Sequence, residues 1–120
     1  MPHEDRRRRI GALVLIATMA LVGCDSVEER VNKHYARGME LIEQEKYETA
    51  AIEFRNAIRL DDTFTPARLE IAKLYERDGE LRAALGNYRV VADGDPQNIE
   101  SRLKIAQFLL MGGDLEGAIF

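Results

Sequence analysis

Slid against itself by 34 residues, the chain falls into register: Ala50 meets Ala84 and Ala118, Phe54 meets Tyr88, and Arg68, Leu69, Ile71 and Ala72 meet Arg102, Leu103, Ile105 and Ala106. Gly79 meets Gly113 and Leu81 meets Leu115 at the same offset. A unit of this length is one supersecondary element that cannot bury its apolar face alone, so neighbouring units must stack to share a core. With 120 residues there is room for one small domain and no more.

The spacing also decides what each unit is made of. Beyond Cys24 the apolar residues recur with helical period and no run alternates in strand fashion, which predicts an all-α fold of antiparallel hairpins. Helices are expected over 26–44, 47–60, 66–78, 81–93 and 98–111, and from 115 onward. Ser26 with Glu29 has the spacing of a capping box. Thr65 followed by Pro66 reads as an N-cap and first helical position. Gly79 and Gly113 fall at interhelix turns, where glycine accepts positive φ.

The order of small and bulky positions within each unit resembles the tetratricopeptide repeat. In the first unit Gly38, Leu41, Ala50, Phe54 and Ala57 fill the pattern, with Asp62 where proline is usual; in the second, Ala72, Tyr75, Ala84, Tyr88, Val91 and Pro96 do so. The third offers Ala106, Leu109 and Ala118. His34, Arg68 and Arg102 depart from the pattern, standing where an aromatic is frequent. The resemblance implies a stacked solenoid of about two and a half repeats over 31–64, 65–98 and an incomplete 99–120. It also implies that Gly38, Ala72 and Ala106 are small to let paired helices approach. Phe54, Tyr75 and Tyr88 then fill the gaps between hairpins as core residues. An array of this kind needs a polar terminal cap, so the sequence is expected to be the N-terminal piece of a longer array or a short protein that docks its open end.

The same resemblance implies a concave groove lined by the first helix of each unit and suited to an extended peptide or a helix. Its positions would be Asn32, Tyr35, Met39, Ile42 and Glu43, then Leu69, Lys73, Glu76 and Arg77, then Leu103, Lys104, Gln107 and Leu110. Repeat domains that clamp a chaperone's carboxylate tail carry Lys and Asn in the first unit; here Tyr35 and Met39 stand at those places, which argues against that ligand.

The N-terminus carries a different message. Arg6 to Arg9 precede a mostly apolar run from Ile10 to Val22, 13 residues where a membrane span needs roughly 20. Positive residues, a short apolar core and a small residue at its exit make an export signal, over 1–23, with 24–30 as a short lead-in. Leu21, Val22, Gly23 and Cys24 resemble the lipobox of bacterial lipoproteins, in which the cysteine sulfur receives a diacylglyceryl group and becomes the first mature residue. An inert buried thiol or a signal-anchor helix are the plainer readings of a lone cysteine after an apolar run. With two or three acyl chains the protein would be anchored to the membrane without spanning it. Asp25 either resembles an inner-membrane retention signal or is simply solvated near a helix start.

Catalytic chemistry finds no foothold. His34 could be a base or a ligand, yet no second histidine or cysteine stands near it in sequence. Gly112 and Gly113 lack the preceding strand of a phosphate loop. One cysteine builds neither a disulfide nor a cysteine-rich metal site. The chain's formal charge is −4, and four arginines against Glu4 and Asp5 in the leader leave −6 for the remainder, a charge that repels nucleic acid. The expectation is a noncatalytic, lipid-anchored periplasmic scaffold that binds proteins through its groove, with no metal and no cofactor. The alternative is the N-terminal segment of a larger envelope enzyme, or of a subunit of a pilus or outer-membrane assembly complex. The run from Ala50 to Ile58, with Pro66, Ala67 and Arg68, resembles the repeat lipoproteins that accompany exosortase and PEP-CTERM exopolysaccharide systems.

Overall fold

A computed structural model describes residues 23–112. Within them the chain is all-α, with helices α1 (Val27–Glu43), α2 (Tyr47–Leu60), α3 (Thr65–Arg77), α4 (Leu81–Gly94) and α5 (Ile99–Met111) and no strand. The expectations for the leader before residue 23, and for Gly113, Leu115, Ala118 and a helix from 115 onward, lie outside the described residues.

The helices pair as two hairpins, α1 with α2 and α3 with α4, and α5 packs on the second. Each hairpin is antiparallel: Gly38 near the middle of α1 faces Phe54 in α2, and Thr65 at the start of α3 meets Gly94 at the end of α4. The apolar stripes converge on two clusters. Phe54 is fully buried among Val31, Ala50, Ala57, Ala67, Ile71 and Leu74, so this cluster draws on α1, α2 and α3. Tyr88 is fully buried with Ala72, Ala84, Leu85 and Phe108, drawing on α3, α4 and α5. Every core cluster therefore needs a helix from the next unit, which is why a single hairpin would be unstable alone.

The 34-residue register extends to the backbone hydrogen bonds of the turns. After α1, Gln44 N–H donates to Glu40, Glu45 to Ile42 and Lys46 to Leu41; after α3, Asp78 donates to Leu74, Gly79 to Glu76 and Glu80 to Tyr75. Asp61 and Asp95 repeat as well, each accepting at Oδ1 the N–H two residues on, from Thr63 and Gln97. This side-chain turn stops one hairpin and starts the next. The Thr63 hydroxyl and N–H both donate to Asp61 and hold its carboxyl below the usual range.

Two helix starts differ from expectation. Thr65 is the first residue of α3, not its cap; Phe64 occupies the cap without a side-chain bond, and the Asp61 turn already fixes the entering chain. Thr65 instead packs its methyl group against Gly94. At α1 only half of the capping box forms: Ser26 Oγ accepts from Glu29 N–H at 3.1 Å, while the Glu29 carboxylate lies 4.0 Å from Lys33. Lys33 is also bonded to Asp25, which raises its pKa chiefly through that hydrogen bond and ties the residue after Cys24 to the second turn of α1. No helix of the described residues is long and apolar enough to cross a membrane.

Candidate binding groove

The groove positions on the first helices separate into three groups. On α1, Tyr35, Met39 and Ile42 are half-buried against the first cluster, whereas Asn32 and Glu43 are exposed. The Tyr35 ring meets Phe64 edge-on at 5.5 Å between centroids and Phe54 at 5.9 Å, geometries that favour aromatic pairs. Burial pushes its hydroxyl pKa up, with the Glu70 charge adding to the rise and Lys73 opposing it. Tyr35 therefore stands at the junction of α1 with α3.

Between α3 and α5 the groove positions form ion pairs. Lys104 Nζ donates to Glu76 Oε1 at 2.6 Å, and the Tyr88 hydroxyl donates to Glu76 Oε2 at 2.7 Å. Lys73 lies 3.0 Å from Glu70 in its own helix and 3.2 Å from Glu100 in α5. Partial burial works against each charge here, and the partners win. Desolvation would raise the Glu76 carboxyl, but the bonds from Lys104 and Tyr88 hold it below the usual range. Desolvation would lower Lys73, but Glu70 and Glu100 raise it. Leu69 is half-buried beneath this lattice, in the second cluster.

The remaining positions do not join that strip. The repeat resemblance places Arg77 with the groove, yet its guanidinium sits 3.7 Å over the ring of Tyr47 and 2.7 Å from Asp78. One residue after Glu76 in the helix, Arg77 points about 100° around α3 into a cleft of about 300 Å³ between α2 and α3, lined also by Ala51, Ile52, Ile71, Leu74 and Tyr75. Leu103 and Leu110 are exposed and lie roughly 100° and 120° around α5 from Lys104. Gln107 is exposed between them.

Glu70, Glu100 and the Tyr88 hydroxyl belong to the site and are not among the expected positions. A signal for two of these contacts exists in the sequence: opposite charges recur at separations of 27 and 28 residues, Lys73 to Glu100 and Glu76 to Lys104. That is one repeat less about two helical turns. His34 pairs with Glu53 of α2, its Nδ1 2.7 Å from Oε2, and Arg37 reaches the other oxygen at 3.6 Å. Among the described residues no group of three His, Cys, Asp or Glu side chains gathers to hold a metal ion. Cys24 is an exposed free thiol two residues before the cap of α1. No protein-family model matches the chain, and no solved structure matches it.

Proposed function

We propose that this chain is a tetratricopeptide-type scaffold of the bacterial envelope, noncatalytic and held on the periplasmic side of a membrane by a lipid on Cys24, which recruits proteins through the face shared by α1, α3 and α5. The observation that carries the binding half of this reading is the pairing of Glu76 with Lys104 across hairpins. It sets α5 beside α3 as Tyr35 sets α1 beside it, so three first helices present one continuous strip. A surface of that kind binds a partner segment along its length. The strip's charges are already matched to one another, which suits a scaffold better than a site that must move protons.

Support for the anchor comes from the sequence order of arginines, apolar run and Leu21-Val22-Gly23-Cys24, and from the exposure of Cys24 beside α1. Assembly of the envelope or export of a polysaccharide is the setting we propose, on the resemblance of Ala50 to Ile58 to repeat lipoproteins of exopolysaccharide systems.

Intact-mass analysis of the membrane fraction, wild type against Cys24→Ala, tests the reading. The expected wild-type product starts at Cys24 and carries a diacylglyceryl mass that Cys24→Ala abolishes. A wild-type chain that keeps its full 13.6 kDa without lipid overturns the anchor.

A further inference from the structure

Cys24 sits at one edge of the helical stack. Val27 and Val31 at the start of α1, Leu60 at the end of α2 and Phe64 before α3 line an open cleft of about 460 Å³ on that edge. Val27 is 51% exposed within it. The contact of Thr65 with Gly94 carries the same edge into the second hairpin. The opposite edge holds the turns after α1 and α3, with exposed Glu43, Glu45, Lys46, Glu48, Asp78 and Glu80, and stands about 20 Å away, the length of the 14-residue α2. Gly112, where the described chain stops, is on that opposite edge, at the last helix.

We propose that the anchored protein rests on the lipid surface by the Cys24 edge, with its helices upright and the cleft of Val27, Val31, Leu60 and Phe64 seated against zwitterionic phospholipid. This depends on the reading of Cys24 as the lipid-bearing residue. Only Asp25 and Ser26 separate Cys24 from α1, about 10 Å of extended chain, and the Asp25 carboxylate is tied back to Lys33. So short a tether holds the start of α1 at the headgroups. Once the lipid is inserted, further contact is intramolecular, and a small apolar cleft suffices to choose the orientation. The outer side of α1 is the competing surface, but Lys33, Arg37 and Glu40 are exposed there and laying it on lipid would strip water from their charges. Glu28 and Asp61 line the chosen cleft and Asp62 adjoins it, which sets it against an anionic surface. The three first helices then stand side by side along the membrane, and the cleft that holds Arg77 opens away from it.

The chain has no tryptophan, so single reporters can be placed. Phe64→Trp marks the resting edge and Tyr47→Trp the far one, each an exchange of one aromatic for another. The full-length chain is reconstituted into phosphatidylcholine vesicles whose headgroups carry a nitroxide quencher, and intact mass reads whether Cys24 bears its lipid. Where the thiol is free, Cys24, the sole cysteine, is coupled to a maleimide-headgroup lipid, so a failed anchor and a failed orientation are told apart. Quenching of Phe64→Trp is expected to be about fivefold that of Tyr47→Trp, because the edges stand ~20 Å apart. Adding Val27→Asp should bring the two reporters level while the lipid stays attached, with the helices verified by far-ultraviolet circular dichroism. Including phosphatidylglycerol in the vesicles should weaken the Phe64→Trp signal. Equal quenching of the two reporters, stronger quenching of Tyr47→Trp, indifference to Val27→Asp or a gain with phosphatidylglycerol each overturns the proposal.

Discussion

Tyr88 and Glu76 stand one repeat after Phe54 and Ile42, and the two pairs differ together: the buried phenol donates to the Glu76 carboxylate at 2.7 Å where the earlier unit has two apolar side chains. A hydroxyl in a core costs free energy unless it finds an acceptor, and Glu76 is that acceptor. Removing the acceptor alone, by Glu76→Ile, leaves the hydroxyl unsatisfied and should destabilise by about 1–3 kcal/mol. Tyr88→Phe alone should cost about 1.5–3 kcal/mol, the net value of a hydrogen bond to a charged group. The double substitution recreates the first unit's pairing and should be less damaging than the sum of the two. Urea unfolding of the four proteins measures this; strict additivity would show that the pair is not coupled.

The same pair sets the pH response. Glu76 is held below the usual carboxylate range, so its contribution is complete above that range and is lost as the pH falls through the lowered value. Tyr88 is driven far above its usual value, first by burial and then by Glu76. An unfolded tyrosine ionises near pH 10, so above about that pH the unfolded chain sheds a proton the folded chain keeps, and stability declines. Melting temperature against pH should fall at both ends. Tyr88→Phe should flatten the alkaline fall, leaving the part owed to Tyr35, Lys73 and Lys33, whose pKa values are also raised. An unchanged alkaline limb in Tyr88→Phe would assign that limb elsewhere.

What the sequence made legible follows from which positions the repeat constrains. The 47–60 helix has the limits expected from spacing, and the other described ends lie within one residue, because apolar period and turn residues recur in each unit. Gly79 at φ 79° was readable as a turn glycine. Its equivalent Glu45, at φ 59°, was not, since a glutamate among acidic neighbours looks like plain solvated surface. The start of α3 was misplaced because Thr65-Pro66 imitates a cap, while the bond that fixes the entry comes from Asp61 four residues earlier. Of the groove positions, Glu76 pairs with Lys104, while Lys73 turns to Glu70 and Glu100. Arg77 leaves because Tyr47, on a helix that spacing alone cannot orient, offers its ring face. Helix limits followed from the pattern within a unit; the side-chain contacts between units depend on how one unit is rotated on the next, and only the charge spacing of Lys73 with Glu100 and Glu76 with Lys104 hinted at them.

Glu45 yields a prediction of opposite sign to most substitutions. A side chain at positive φ suffers a clash between Cβ and the backbone that glycine avoids. Glu45→Gly should therefore stabilise the protein by about 0.5–1 kcal/mol, despite the entropy that glycine adds to the unfolded chain. Gly79→Ala, which introduces the same clash at the equivalent turn, should destabilise by about 1 kcal/mol. No atom lies within 4 Å of a Cβ built on Gly79, so crowding cannot account for that loss and backbone conformation alone would. Thermal melts of both variants decide it, and a destabilised Glu45→Gly would mean that its side chain holds the turn by a contact of its own.

Gly38 illustrates the other use of glycine, space. A Cβ there would stand 2.7 Å from Cδ1 and 2.8 Å from Cζ of the buried Phe54 ring, closer than carbon atoms approach. Phe54 cannot withdraw: it is fully buried, with Tyr35 packed on its ring at 5.9 Å and Ala50 and Ala57 above and below it in α2. Gly38→Ala must therefore push α1 from α2, at about 1–3 kcal/mol for overpacking, and this outweighs the gain of up to about 1 kcal/mol from alanine's higher helix propensity. The equivalent Ala72 is tolerated opposite Tyr88 one unit later, so the clash belongs to the closeness of this first pair and not to the repeat. Shortening the ring should relieve it: Phe54→Leu costs stability in the wild type, and in the Gly38→Ala background should cost markedly less. A double-mutant cycle by urea unfolding reads the coupling directly, and two independent losses would place the strain of Gly38→Ala somewhere other than the ring.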